Sequence, residues 1–305
     1  MKRITPRHRR KGTGKPRRIR RIGIVVKPGS RSSAEIAGAL VKWLSRRGIH
    51  AELDLRTAAM LKRPGGSERE ALAETCDILV AVGGDGTLLS LARTAAAAGT
   101  PILGINLGSL GFLTEVPIDD MFPALSGVLE GRYDIQERMR LRASVVRGGR
   151  ETARHDLLNE IVINKSALAR ILTIDVTVNG RSVTTYKSDG LILSTPTGST
   201  AYSLSAGGPI VDPQVSAMVL TPICPHTLSN RPLVLPQDVV VEMSLRNSHE
   251  DVYVTIDGQV GFPLVGDDRV RARRAPHPVR LIRSLGQDYF EVLRQRLKWR
   301  GRVGR

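Results

Sequence analysis

Aromatic side chains are scarce, 4% of the 305 residues, so any core must be built from aliphatic groups. Cysteine is scarcer still: Cys76 and Cys224 are the only two, far apart and without a CxxC or a paired His spacing. That excludes a disulfide scaffold and a Cys/His zinc site, and a reducing, cytoplasmic compartment is the expectation. No apolar run approaches the roughly 18 residues a membrane helix needs, so no membrane partner is expected. The basic start runs straight into the short apolar stretch Ile22 to Val26, which is not the core of a secretory signal. No GK[ST] follows any glycine-rich turn, and a Walker loop is therefore excluded.

What is abundant is positive charge, 46 basic against 29 acidic residues for a net of +17. Residues 1–21 hold 11 Lys or Arg and no acid, and residues 269–305 carry a further net +10, which leaves −4 for residues 22–268. The ends are basic and the body is mildly acidic. No nucleic-acid motif accompanies the charge, so residues 1–21 are expected to be a basic disordered tail and nucleic acid is not an expected partner. A hydrophobic content of 41% with 30 Gly and 17 Pro describes a globular, turn-rich chain long enough for two domains.

Periodicity divides the chain. Ile22 to Val26 reads as a buried strand, Ala34 to Gly48 as an amphipathic helix, Ile49 to Leu55 as a strand, Asp77 to Val82 as an apolar strand, Thr87 to Ala98 as a helix and Pro101 to Asn106 as a strand. This alternation predicts an α/β domain with a parallel sheet over residues 22–135. Helical periodicity then nearly disappears. Arg140 to Val146, Leu158 to Asn164, Thr173 to Val178, Leu191 to Ser194, Pro232 to Leu235, Val239 to Leu245 and Tyr253 to Ile256 read as strands, with hairpin signals at Asn179-Gly180 and Asp257-Gly258. Residues 136–284 are thus expected to be a β-rich domain, and the helical stretch Asp288 to Trp299 suggests that 285–300 return to complete the first domain.

Chemistry concentrates in a few segments. DILVAVGGDGTLL at 77–89 is a strand, a glycine-rich turn and a helix start; such a turn lets backbone N–H groups reach a phosphate, and the helix N-terminus favours negative charge. Gly83, Gly84, Gly86 and Thr87 are its candidate phosphate contacts. Asp85 needs a separate reason, since a carboxylate beside phosphates is repelled unless it binds a metal or takes a proton, and a base in phosphoryl transfer does the latter. Asn159 and Glu160 interrupt an apolar stretch and could grip sugar hydroxyls, or be ordinary polar residues at a strand edge. TPTGSTAYSLSAGGP, residues 195–209, crowds hydroxyls and free N–H groups around a helix start, with Tyr202 offering a ring face and Asp189 a carboxylate. Asp257 in TIDGQ reads as a hairpin turn.

GGDGT after an apolar strand, LGFLTE at 110–115, LNE at 158–160, the 195–209 segment and TIDGQ at 255–259 together resemble the NAD kinase family, in order and spacing, over about residues 20–300. GGDGT alone is also similar to diacylglycerol kinases and, more loosely, to 6-phosphofructokinases; a lipid kinase would need a lipid slot or membrane face that the hydroxyl-rich segment does not offer. The resemblance implies an NAD site between the α/β and β-rich domains, ATP as donor with Mg²⁺ arriving alongside it, and NADP as product. It implies that Asp85 takes the proton of the adenosine ribose 2′-hydroxyl. It places Asp85, Gly86, Asn159, Glu160, Arg170, Lys187, Asp189, Thr200, Ala201, Tyr202, Ser203, Leu204, Ser205 and Gln259 against NAD, with Phe112 a further candidate. It implies no dedicated metal site on the protein, and a homo-oligomer, dimer or tetramer.

Overall fold

A strand with no alternation is stable only where both its faces are covered, and Arg21–Val26 meets that condition, buried over its last five residues. In the computed structural model this strand lies inside a seven-stranded sheet. The structure describes residues 18–29, 31–108, 111–166, 171–227, 229–246, 252–284 and 288–299; residues 1–17 of the basic tail and Arg170 lie outside them.

The order in the first sheet is His50–Leu53, Arg21–Val26, Ile78–Gly83, Ile102–Asn106, Val279–Ser284 and Tyr133–Arg138, with the short strand Val116–Pro117 also paired to Ile102–Asn106. All neighbours are parallel except the last pair, where Tyr133–Arg138 runs antiparallel to Val279–Ser284. Helices Arg31–Ser45 and Met121–Leu129 seal one face through Leu40, Leu44, Leu125 and Val128. Helix Asp85–Ala98 seals the other through Leu88, Leu91, Ala92 and Ala95, and stops at Gly99 in the left-handed region (φ 71°). Arg21–Val26 lies between the next two strands of the chain, with the first crossover leading to His50–Leu53 on one side and the second to Ile78–Gly83 on the other. Its carboxyl end and that of Ile78–Gly83 therefore flank the switch point where α/β sheets bind ligands.

The β-rich part is two antiparallel six-stranded sheets. One holds Leu141–Arg147, Arg150–Leu157, Leu172–Val178, Arg181–Ser188, Val241–Leu245 and Arg269–Arg274; the other holds Glu160–Lys165, Gly190–Ser194, Ala217–Ile223, Leu233–Pro236, Val252–Ile256 and Val260–Leu264. Their inner faces meet in an aliphatic core that includes Val145, Ile174 and Met243 from the first and Ile163, Leu193 and Val254 from the second. Both anticipated hairpins form, and each has two successive positive φ angles: Asn179 51° and Gly180 76°, Asp257 50° and Gly258 62°. That is the backbone of a type I′ turn, which Asn-Gly and Asp-Gly tolerate best.

Two expectations change. Val279–Ser284, placed at the end of the β-rich part by sequence, is hydrogen-bonded into the first sheet between Ile102–Asn106 and Tyr133–Arg138; Arg280 and Arg283 had interrupted the apolar pattern of a strand whose Val279 and Leu281 are buried on one face and Ile282 on the other. The strand expected from Leu158 begins at Glu160. Leu158 and Asn159 form the turn before it, because their N–H groups are taken by a side chain and not by a neighbouring strand.

The chain passes between the two parts at residues 138–141 and 274–279, and Arg140 ties the crossings together. Its Nε donates to His277 O (2.8 Å), its Nη2 to Asp156 Oδ2 (3.3 Å), and its own carbonyl accepts from Ala275 N (2.9 Å). Arg140→Met removes a guanidinium that is 3% exposed together with its bonds to His277 and Asp156, and we expect a loss of about 2 kcal/mol. A lowered urea midpoint with an unchanged m-value checks this.

Candidate active site

At the end of Ile78–Gly83 the chain turns directly into helix Asp85–Ala98, with Gly84 as an N-cap that has no side chain to satisfy the first N–H groups. A Cβ on Gly83 would strike the Thr87 side chain, so that glycine is required by packing. A Cβ on Gly84 or Gly86 would meet nothing. No contact within the chain requires these two to be glycine, and unfilled N–H donors at a helix N-terminus suit an anion.

Asp85 opens the helix and reaches across to the loop that follows the adjacent strand Ile102–Asn106. Oδ1 accepts from Leu113 N (3.1 Å), Thr114 N (3.0 Å) and Thr114 Oγ1 (2.9 Å), and Oδ2 accepts from Phe112 N (2.9 Å). Asn106 Nδ2 donates to the same Thr114 hydroxyl (2.8 Å), which fixes its proton toward Asp85. Gly111 must be glycine, because a Cβ there would overlap the Asp85 carboxylate. Three successive N–H groups and a hydroxyl thus hold one carboxylate at a set angle. Oδ2, with a single donor, keeps a lone pair free.

The LNE turn is built by the same device. Asp257 accepts from Leu158 N (3.0 Å), Asn159 N (2.7 Å) and Glu160 N (3.1 Å). Burial pushes the Asp257 carboxyl up and the three N–H bonds oppose that push. Sequence reasoning saw only a hairpin in Asp257-Gly258; the turn is there, but the side chain also organises the motif a hundred residues earlier, and nothing local could have revealed it. Leu158 itself plugs into the core of the first domain beside Leu88 and Leu113. Glu160 is 5% exposed. Its carboxyl is pushed up to about 8 by burial first and by the Asp257 charge second, against one N–H bond from Tyr202, and its Oε2 has no hydrogen-bond partner.

The hydroxyls of the 195–209 segment mostly face inward. Thr195 Oγ1 donates to Leu158 O (2.6 Å) and accepts from Gly198 N (3.0 Å), Ser199 Oγ donates to Pro196 O (2.7 Å), and Ser203 Oγ pairs with Thr221 Oγ1 (2.9 Å). Thr195, Ser199 and Ser203 are fully buried. These side chains fold the loop against LNE, where Gly198 lies so close to the Asn159 backbone that a Cβ would overlap it. What the loop presents outward is Tyr202, 43% exposed, and Ser205, with Thr200, Ala201 and Leu204 half-buried. Gln259 closes the circuit: Nε2 donates to Gly86 O (3.1 Å) and Oε1 accepts from Arg93 Nη2 (3.4 Å), so the Asp257 hairpin touches the start of the Asp85 helix. Arg93 lies outside every motif and was not foreseen.

The chain matches the ATP-NAD kinase N-terminal domain over residues 22–133 and the ATP-NAD kinase C-terminal domain over 158–284. It belongs to the NAD kinase family. The NAD kinase of Geotalea daltonii is 49% identical over 281 residues, covering 92% of this chain and 99% of that protein, and that of Geobacter metallireducens is 50% identical with the same coverage. Among solved structures, the yeast NADH kinase complexed with NADH superposes with a TM-score of 0.85 at 25% identity, over 95% of this chain and 91% of that one. An NAD kinase from Archaeoglobus fulgidus in complex with ATP gives 0.71 at 26% identity, over 92% and 100%.

Not every residue that the NAD kinase resemblance singled out is gathered here. Glu160 pairs with Ser194 at one end of strand Gly190–Ser194, whereas Asp189 precedes the other end and pairs with Lys165 (3.5 Å). That separation is roughly 17 Å at strand rise. Lys187, exposed, lies with Asp189 at this far end. Among the described residues no group of three or more His, Cys, Asp or Glu is placed to hold a metal, and no helix is long and apolar enough to cross a membrane. A groove of about 930 Å³ beside Leu55, Arg69 and Thr94 holds none of the motif residues.

The raised Glu160 carboxyl has a measurable sign. Between the unfolded value near 4.5 and the folded value of about 8, the folded state binds a proton that the unfolded state does not, so stability is present below 4.5 and is lost as pH rises to about 8. Denaturant unfolding of wild type and Glu160→Gln between pH 4.5 and 9 is expected to show wild-type stability falling relative to the variant up to pH 8 and running parallel above it.

Proposed function

We propose that this chain transfers the γ-phosphoryl group of ATP to the 2′-hydroxyl of the adenosine ribose of NAD, giving NADP and ADP, with Asp85 as the general base. The observation that carries the reading is the Asp85 carboxylate, fixed by four donors, with Oδ2 left able to accept one more proton at the switch point of the sheet. In the step, the hydroxyl oxygen forms a bond to the γ-phosphorus as the bond to the bridging oxygen of ADP breaks, and the hydroxyl proton passes to Asp85 Oδ2. A base so placed contributes about 10²–10⁴-fold; alignment and charge neutralisation supply much of the rest. Gly83, Gly84, Gly86 and Thr87 form the turn offered to the ATP phosphates. Magnesium enters as part of the substrate MgATP.

Asn159, Glu160, Tyr202, Ser205 and Gln259, arranged around the Asp257 hairpin, make up the dinucleotide side. Lys187 and Asp189 sit too far along the sheet to serve the same chain's site, so the reading includes a homo-oligomer in which that end of one chain completes the site of a partner. A cytoplasmic location fits the two free cysteines.

NADP formation from NAD and MgATP, read with an NADP-specific dehydrogenase, is expected to fall at least about a hundredfold in Asp85→Asn with folding intact; unchanged turnover removes the role given to Asp85, and no NADP from folded wild type overturns the reading. Mixing inactive Asp85→Asn with inactive Asp189→Ala is expected to restore activity, because the mixed oligomer contains a site with both carboxylates. Failure of mixed oligomers to regain turnover would refute the shared site.

A further inference from the structure

The loop that holds Asp85 has little structure of its own. Among the described residues between Asn106 and Val116 there is neither helix nor strand, and its backbone N–H groups at 112, 113 and 114 all turn inward to the carboxylate. Asn106 anchors it from within through Thr114. Residues 112 and 115, either end of the segment that faces Asp85, are gripped from elsewhere, and both grips come from the last stretch of the chain. At one end, Arg283 Nε donates to Glu115 Oε2 (2.8 Å) in a pair that is 13% and 8% exposed, and Arg283 Nη1 reaches Gln136 Oε1 (3.4 Å). At the other, the Arg296 guanidinium from helix Tyr289–Arg296 lies over the Phe112 ring, 5.3 Å from its centroid, inside the roughly 6 Å range of a cation–π contact. Tyr289, Val292 and Leu293 bury the inner face of that helix, so Arg296 is presented by a packed element.

We propose that Arg283 and Arg296 are positioning residues for catalysis: together they clamp Glu115 and Phe112, the ends of the segment whose N–H groups orient Asp85. The proposal rests on Asp85 as the base. Neither arginine touches the carboxylate, so what they control is the angle at which Oδ2 faces the acceptor hydroxyl. Loosening that angle lowers the chance of a productive alignment without weakening dinucleotide binding. The signature is a fall in kcat at nearly constant KM.

Arg296 is solvent-exposed, so its replacement tests the clamp without endangering the fold. In Arg296→Met, kcat is expected to fall about three- to tenfold, with KM for NAD within about twofold and the melting temperature within about 2 °C of wild type. Arg296→Lys, which keeps a cation over the ring, is expected to recover at least half of the loss. Arg283→Met is expected to lose more, together with some stability, since Glu115 is then buried without that partner. A kcat of Arg296→Met within twofold of wild type overturns the proposal, and so does a loss that follows the melting temperature and is not restored by Arg296→Lys. Asp85→Asn assayed in parallel separates the two ideas: full activity there sinks the base itself, whereas an inactive Asp85→Asn beside a normal Arg296→Met sinks only the clamp.

Discussion

Irregular chain that is buried must still satisfy its N–H groups, and this protein does so twice with a single carboxylate set against three successive amides. Asp85 holds residues 112–114 and Asp257 holds residues 158–160. Everything else about the site depends on this. The amides are donors that no strand or helix satisfies, and without a carboxylate opposite them neither loop would have a reason to adopt its path. The two devices face the same place because Gln259, two residues after Asp257, bonds to Gly86, the residue after Asp85.

That arrangement explains a division of labour among residues of like chemistry. Asp85 is half-buried, and its second oxygen accepts a single bond and so keeps room for another donor. Asp257 is buried, all three of its bonds are to backbone, and it organises only. Among hydroxyls the same split holds: Thr195 and Ser199 are spent on carbonyls and Ser203 on Thr221, while Ser205 stays at the surface. A sequence rich in Ser and Thr near a ligand is therefore partly scaffold.

Much of the architecture was legible in the sequence, and the failures have physical causes. Alternating strand and helix patterns identified the first domain, and Asn179-Gly180 and Asp257-Gly258 were read correctly as turns because positive φ angles restrict the residues that can stand there. Strands Arg150–Leu157 and Arg269–Arg274 were missed: their solvent face is so rich in Arg, Glu and His that the few inward residues, Ala153, Val270 and Ala272, do not form a visible run. Ala217–Ile223 failed for the opposite reason, being buried on both faces and interrupted by Pro222. At the site, GGDG and LNE stood out by composition. The partners that give them shape, Thr114 and the Asp257 carboxylate, are distant in sequence and ordinary in kind.

The first sheet is finished by the end of the chain. Val279–Ser284 fills the gap between Ile102–Asn106 and Tyr133–Arg138, so two strands made early wait for a third made some 140 residues later. During synthesis the N-terminal half emerges with its sheet open and Ile102–Asn106 covered on that edge only by the short strand Val116–Pro117, while the whole β sandwich is still to be made. Closing such a long loop is slow, and the exposed edge invites wrong partners in the interval. A ribosome-bound fragment of this protein thus already contains Asp85 and its donors at 112–114, but the strand and helix that carry Arg283 and Arg296 are still to come.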